Sequence, residues 1–218
     1  MRLSDTTTKV LKNFASINPS ILLNEGQTIR TISPQKNVLA QAVTDEPITD
    51  SMCLYDINQF LNIVESIDDC VINVNSSKAI LSNPQNTQNS TVFFADPSVI
   101  VTPPEKNINV KNEQFTFNLS DKELVKILRM ASLCNAEELI LQQRNDGTVL
   151  CKVTNTANPT SNDFSLVVEA TNSTGETELP ATLEVAKLNF IKDTYEVHVY
   201  EKIVHFQGSI AEYWIAQK

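Results

Sequence analysis

Glycine is scarce in this chain of 218 residues, which holds only Gly26, Gly147, Gly175 and Gly208, none within four residues of another. Walker and Rossmann phosphate loops need two or three glycines close together, so both are excluded. The four cysteines, Cys53, Cys70, Cys134 and Cys151, never come closer than 17 residues. No CxxC pair exists for zinc or redox chemistry, and buried free thiols are the simpler reading. No apolar run approaches the ~18 residues of a membrane span. The stretch Met1 to Asn18 mixes Asp5, Lys9 and Lys12 with apolar residues and lacks the uninterrupted apolar stretch of a secretory signal, so a cytosolic protein is expected. A basic excess is also missing. With 17 basic and 26 acidic residues the formal charge is 17 − 26 = −9, which argues against gripping nucleic acid over the whole surface while leaving a local basic face open.

What is present fits a soluble globular chain. Apolar residues make up 41% and charged residues 20%, close to the average for such proteins. The size allows one large or two ordinary domains, each able to bury a core without staples. Helical periodicity is clear in four short places. The first runs from about Thr6 to Ile17, with Val10, Leu11, Phe14 and Ile17 on one stripe. The second starts at Asp56, an N-cap with Gln59 three residues on, and turns Ile57, Phe60, Leu61, Val64 and Ile67 inward. The third has Ser120 and Glu123 in capping-box spacing, with Leu124, Ile127, Leu128 and Ala131 as its buried face. A fourth is expected near Leu183 to Phe190, after Pro180.

The remainder is rich in β-branched and aromatic residues and divides into short strands. They span Gln27 to Ser33, Val38 to Val43, Ser51 to Tyr55, Cys70 to Val74, Ser90 to Phe94, Leu139 to Gln143, Thr148 to Thr154, Phe164 to Glu169, Thr194 to Tyr200, Ile203 to Gln207 and Ala211 to Gln217. Asn145-Asp146-Gly147 signals a hairpin, as does Glu201-Lys202, so antiparallel meanders are predicted. The stretch Asp96 to Asn112, holding Pro97, Pro103 and Pro104, has turn chemistry and no helical period, which makes it the natural linker. The two halves it separates carry helices and strands in the same order, an architectural repeat that rests on element order alone.

No catalytic constellation emerges. His198 and His205 sit on neighbouring predicted strands near Glu196 and Glu201, but there is no HExxH helix and no nearby cysteine, so ordinary sheet histidines outweigh a metal site. Asp68-Asp69 is a solvated turn rather than a pair of working carboxylates. No GxSxG elbow accompanies the serines. A non-enzyme without cofactor or metal is expected.

The distribution of base is more informative. Lys9, Lys12 and Ser16 share the face opposite Phe14, and Lys122, Lys126 and Arg129 fall at i, i+4 and i+7 on the polar face of the third helix. Lys187 and Lys192 belong to the fourth helical segment, whereas the second turns Asn58, Asn62 and Glu65 outward. Charged faces on surface helices are routine, so the residues alone leave both a solvating and a polyanion-binding reading.

Several stretches carry a family resemblance: Leu3-Ser4 through Leu11-Lys12-Asn13-Phe14-Ala15 to Ile17-Asn18, then Tyr55-Asp56-Ile57-Asn58 with Phe60-Leu61, then Ala95-Asp96-Pro97-Ser98. Leu124 to Met130 and Tyr213 to Ala216 follow in the expected order. Together they resemble the sliding clamp of T-even-type bacteriophages, the processivity factor of the DNA polymerase. The acidic second helix departs from that pattern. The resemblance implies an α+β fold with two similar clamp-type domains, each an antiparallel sheet with two helices on one face, at 1–98 and 113–218 with an interdomain connector at 99–112. It implies a homotrimeric ring of six domains and twelve helices around double-stranded DNA, with Lys9, Lys12, Lys122, Lys126, Arg129, Lys187 and Lys192 facing the duplex without base readout. Sheet edges would pair across the protomer interfaces. It also implies a DNA polymerase client, an ATP-driven clamp loader and a place in the cytoplasm of the bacterial host. Client peptides would dock beside the connector at Val99, Ile100 and Val101, with Trp214 as a candidate neighbour whose alternative role is core packing. The competing reading is a β-rich phage structural or assembly protein whose helical lysines only solubilise it.

Overall fold

The computed structural model describes residues 1–104, 110–158, 160–173 and 179–218. Its contacts divide the chain into two compact units, Met1–Glu105 and Lys106–Lys218.

In the first unit, α1 (Asp5–Ile17) begins where the Ser4 hydroxyl accepts the Thr7 N–H at 3.1 Å, satisfying an orphan donor of the first turn. Five strands and a helix follow: β1 (Ile21–Leu23), β2 (Gly26–Ile32), β3 (Val38–Ile48), β4 (Met52–Leu54), α2 (Ile57–Ser66) and β5 (Val71–Val74). β6 (Lys78–Ser82) and β7 (Asn89–Phe93) complete the unit, ahead of a short 3-10 turn at Pro97–Val99. β1 pairs with β4, β2 with β3, and β5, β6 and β7 form a meander, all antiparallel. Asp56 caps α2 as its sequence promised, its side chain accepting from Gln59 N at 2.9 Å. α1 packs on α2, β2 and β3, burying Val10, Leu11 and Phe14 completely. Ile57, Phe60 and Leu61 of α2 are buried too, while Val64 and Ile67 are only half-buried.

The second unit contains β8 (Glu113–Leu119), α3 (Asp121–Cys134), β9 (Glu138–Gln143), β10 (Thr148–Thr154) and β11 (Phe164–Ser173). Then come β12 (Ala181–Glu184), β13 (Tyr195–Tyr200), β14 (Ile203–Gln207) and β15 (Ala211–Ala216). Within the unit the strands run in the order β12-β9-β10-β11-β8-β13-β14-β15, every ladder antiparallel. α3 lies on β10 and β11. Its capping box is complete: Ser120 accepts from Glu123 N, and the Glu123 carboxylate accepts from Ser120 N at 2.8 Å. Asn135 ends it in the left-handed conformation, φ 50°, which asparagine tolerates better than most residues. Leu124, Ile127 and Ala131 are buried, but Leu128, expected on the same face, is half-buried.

The expected fourth helix does not form. Ala181–Glu184 is a strand paired with β9, in which Ala181 and Leu183 alternate inward, and only Val185–Lys187 makes a single 3-10 turn. A turn of three residues per repeat satisfies the Val185/Leu188 spacing as well as an α-helix does. The space is filled by aromatics instead: Phe190 stacks on Tyr213 at 4.4 Å and lies tilted against Phe206 at 4.7 Å. Tyr213 Oη accepts from Ile191 N at 3.1 Å and Tyr195 Oη donates to Ile191 O. Among the described residues the chain therefore has three α-helices rather than four. Sequence reading also missed β1, β6 and β8.

Phe14→Ala or Phe60→Ala should cost about 3 to 5 kcal/mol, since each ring is fully enclosed. Leu128→Ala should cost less than about 2 kcal/mol and Ile127→Ala more than that. Chemical denaturation of the four variants checks this order, and equal losses at positions 127 and 128 would contradict the helix register.

Candidate nucleic-acid interface and client surface

The buried stripes of α1 and α3 fix which residues look outward. Because Val10, Leu11 and Phe14 turn inward, Lys9 and Lys12 emerge exposed from the far side of α1; Lys122, Lys126 and Arg129 do the same on α3. The lysines are not equivalent. Lys12 Nζ lies 2.5 Å from Glu65 Oε1 on α2. Lys126 Nζ sits 5.7 Å from the Phe164 ring centroid, a cation–π contact that leaves its charge uncompensated. Lys187, half-buried in the 3-10 turn, is paired with Glu184 at 2.9 Å, so its outward helical position is corrected along with the helix. Lys192 is exposed in the loop before β13. Among the described residues, Lys9, Lys122, Arg129 and Lys192 make no ion pair. Beside α2, a cleft of about 980 Å³ is lined by Tyr55, Asn58, Gln59, Asn62 and Ile63 and by residues 87–90 across from them.

The start of the connector is held to the first unit. Ala95 N donates to Cys53 O at 2.9 Å, and Asp96 caps the 3-10 turn by accepting from Ser98 N at 2.8 Å, a bond that holds its carboxyl below the ordinary range. The Asn18 side chain, buried at the end of α1, donates to Ile32 O at 3.0 Å and to Val101 O at 3.4 Å. Arg30 Nη1 donates to Pro104 O at 2.8 Å. A small cavity of about 90 Å³ remains behind the strap, lined by Leu22, Asn24, Thr28, Arg30 and residues 102–104. The expected open apolar triplet is thus corrected at its centre: Ile100 is only 6% exposed, Val101 is half-buried, and Val99 alone, at 61%, is open. Ile100 pins the strap by its own burial.

No family model matches the chain. Curated relatives do. The "Sliding clamp" of Escherichia phage RB69 is 28% identical over 228 residues, spanning 100% of this chain and 97% of that protein. The "Sliding clamp" of Vibrio phage KVP40 is 23% identical, spanning 99% and 98%. The resemblance is to the sliding clamps of T4-like bacteriophages. Solved structures agree on the fold. The proliferating cellular nuclear antigen of Entamoeba histolytica superposes with a TM-score of 0.69 at 10% identity, covering 97% of this chain and 94% of that one. The β subunit of DNA polymerase III from Pseudomonas aeruginosa gives 0.69 at 14%, covering 98% and 62%. The chain has the DNA-clamp fold.

On the second unit, His198 and His205 are register partners across β13 and β14, their rings 5.5 Å apart. His205 stacks in turn on Trp214 of β15 at 4.5 Å and 2°. Trp214 is therefore half-buried in a ring ladder on the sheet face opposite Tyr195, Val197 and Tyr213. Carboxylates flank the histidines: Glu113 Oε1 is 2.6 Å from His198 Nδ1 and Glu212 Oε2 is 3.0 Å from His205 Nε2. No group of three or more metal-ligating side chains forms among the described residues. Burial pushes the His205 pKa below its ordinary 6.5 despite Glu212. The unfolded chain then takes up this proton more readily than the folded one, so the contribution is intact above pH 6.5 and is lost as pH falls through it. Tm should fall between pH 7.5 and 5.5, and fall less in His205→Gln. Trp214, the chain's one tryptophan, should report the same protonation as quenched emission with a midpoint below 6.5.

Proposed function

We propose that this protein is a DNA sliding clamp: a homotrimeric ring that encircles duplex DNA, tethers the replicative polymerase and is set on DNA by an ATP-driven loader in the cytoplasm of the infected bacterium. The observation that carries the reading is near-full-length similarity to phage sliding clamps on a chain with the clamp fold. The relatives named above favour no structural-protein alternative. A clamp performs no chemical step; its work is a topological link, and weak phosphate contacts without base readout leave it free to slide. Lys9, Lys122, Lys126, Arg129 and Lys192 are the exposed bases suited to that contact, with Lys12 and Lys187 engaged by carboxylates.

Two sheet edges support ring closure. β7 is the outer strand of its meander and carries Phe93 at 73% exposure. Residues 164–169 of β11 pair with β10 on one side, while the ladder to β8 begins only at Ala170; Val167 there is 46% exposed. Joining β7 of one protomer to β11 of the next would satisfy both edges by a head-to-tail contact, which closes into a ring when the rotation is 120°. For clients, the PCNA of A. fulgidus, TM-score 0.68 at 16% identity, was solved with the C-terminal region of FEN-1 bound. Here Val99, with Val101 beside it, is the apolar surface available for a partner's peptide next to the connector. Trp214 serves its own sheet through its ring stack, and Ile100 supports the strap from beneath.

Replacing Lys122, Lys126 and Arg129 by Glu should weaken processive synthesis, leave trimer mass and melting unchanged, and flatten the salt dependence by about one log–log unit per lost contact. Parent-like synthesis at every salt concentration would remove α3 from the DNA path. At the connector, Val99→Asp should abolish polymerase stimulation at a stability cost below about 0.5 kcal/mol. Ile100→Asp should lose stimulation together with about 3 to 5 kcal/mol, because it buries a charge with no partner. Peptide titration beside a melting curve separates the two, and full client affinity in Val99→Asp would move the client site elsewhere.

A further inference from the structure

Glu65 is the only charged residue of α2. Its carboxylate reaches α1, where it meets Lys12 at 2.5 Å with the two side chains 44% and 52% exposed. Lys9, one turn earlier, has no such partner among the described residues, nor do Lys122 and Arg129 on α3. An exposed pair of this kind contributes little to folding, because water solvates both charges and two long side chains must be held in one geometry.

For a passing polyanion the pair matters more. A free lysine that meets a phosphate releases a condensed counterion, and that release supplies the affinity. A lysine already facing a carboxylate must first give up that partner, and the exposed carboxylate then repels the phosphates beside it. We propose that Glu65 is a grip-limiting residue: it withholds Lys12 from the DNA backbone, so that α1 and α2 form a weakly interacting surface while α3 carries the main electrostatic contact. The inference rests on the sliding-clamp reading and adds to it the residue that keeps the first unit's hold loose. Looseness has a use in sliding, since every phosphate contact must break and re-form as the ring advances.

The test uses the full-length protein with Glu65→Gln, Lys12→Gln and the double variant, binding a labelled linear duplex of arbitrary sequence over a range of salt. Glu65→Gln should bind several-fold tighter at low salt and steepen the log–log slope by about one unit. Lys12→Gln should keep the parent's slope and bind no tighter, since it leaves Glu65 uncompensated, and the double variant should lose the slope gain of Glu65→Gln. The proposal is overturned if Lys12→Gln alone flattens the slope by about one unit, which would mean that Lys12 reaches phosphate with Glu65 in place. It is equally overturned if Glu65→Gln behaves as the parent while Lys122→Gln flattens the slope. Loading on closed circular DNA, followed by linearisation, isolates the underlying reading: a parent protein retained equally on both forms would remove the sliding clamp itself, and the role of Glu65 with it.

Discussion

A chain of net charge −9 that is to hold a polyanion, as proposed above, has to keep repulsion and attraction on different surfaces. At physiological salt, charges separated by more than about 8 Å are largely screened from one another, so short-range placement rather than total charge decides what DNA feels. Helices supply that placement. Burying Val10, Leu11 and Phe14 obliges Lys9 and Lys12 to emerge together, and burying Leu124, Ile127 and Ala131 does the same for Lys122, Lys126 and Arg129. The hydrophobic register of two helices thus sets the electrostatics, and changing either register would scatter the bases.

Much of this was legible because helix starts and apolar stripes are local signals. Ser120 with Glu123, and Asp56 with the Gln59 amide, are capping interactions contained within four residues, and both formed as read. The strands at Thr148–Thr154 and Ile203–Gln207 matched to the residue, because hairpin turns bound them. Failures came where partners are distant in sequence. Residues 181–184 became strand through pairing with β9, some forty positions away, a partner that no local window contains. β8, the strand between β11 and β13, was passed over although Phe115, Phe117 and Leu119 alternate inward, because it is squeezed between the end of the linker at Asn112 and the capping box at Ser120.

The connector shows the same division. Its prolines and turn residues announced a segment of irregular backbone, and its described residues 100–104 and 110–112 are irregular. Composition could not announce that it is fastened. The fastening depends on Asn18 and Arg30, polar residues from α1's end and β2 that donate to the carbonyls of Val101 and Pro104. A backbone with few ladder bonds needs side-chain donors of this kind when it lies against a unit's surface. Ile100 joins them by burial, so an apolar residue inside a polar linker turned out to be an anchor, with its neighbour Val99 left as the open contact.

Ion pairing was the least legible property, since it depends on which helices become neighbours. Lys12 looked equivalent to Lys9 along the helix, and only the packing of α2 on α1 brings Glu65 to it. A sequence count of bases on helical faces therefore overstates the positive field, and the excess is largest where an acidic helix lies beside a basic one. On the sliding-clamp reading proposed above, the overstatement is itself informative. On that reading retention would come from a closed ring and would need no affinity, whereas each uncompensated base would add a barrier to movement. Selection on sliding should then tolerate, and even favour, carboxylates that neutralise part of the inner surface, leaving enough base on α3 to centre the duplex and no more.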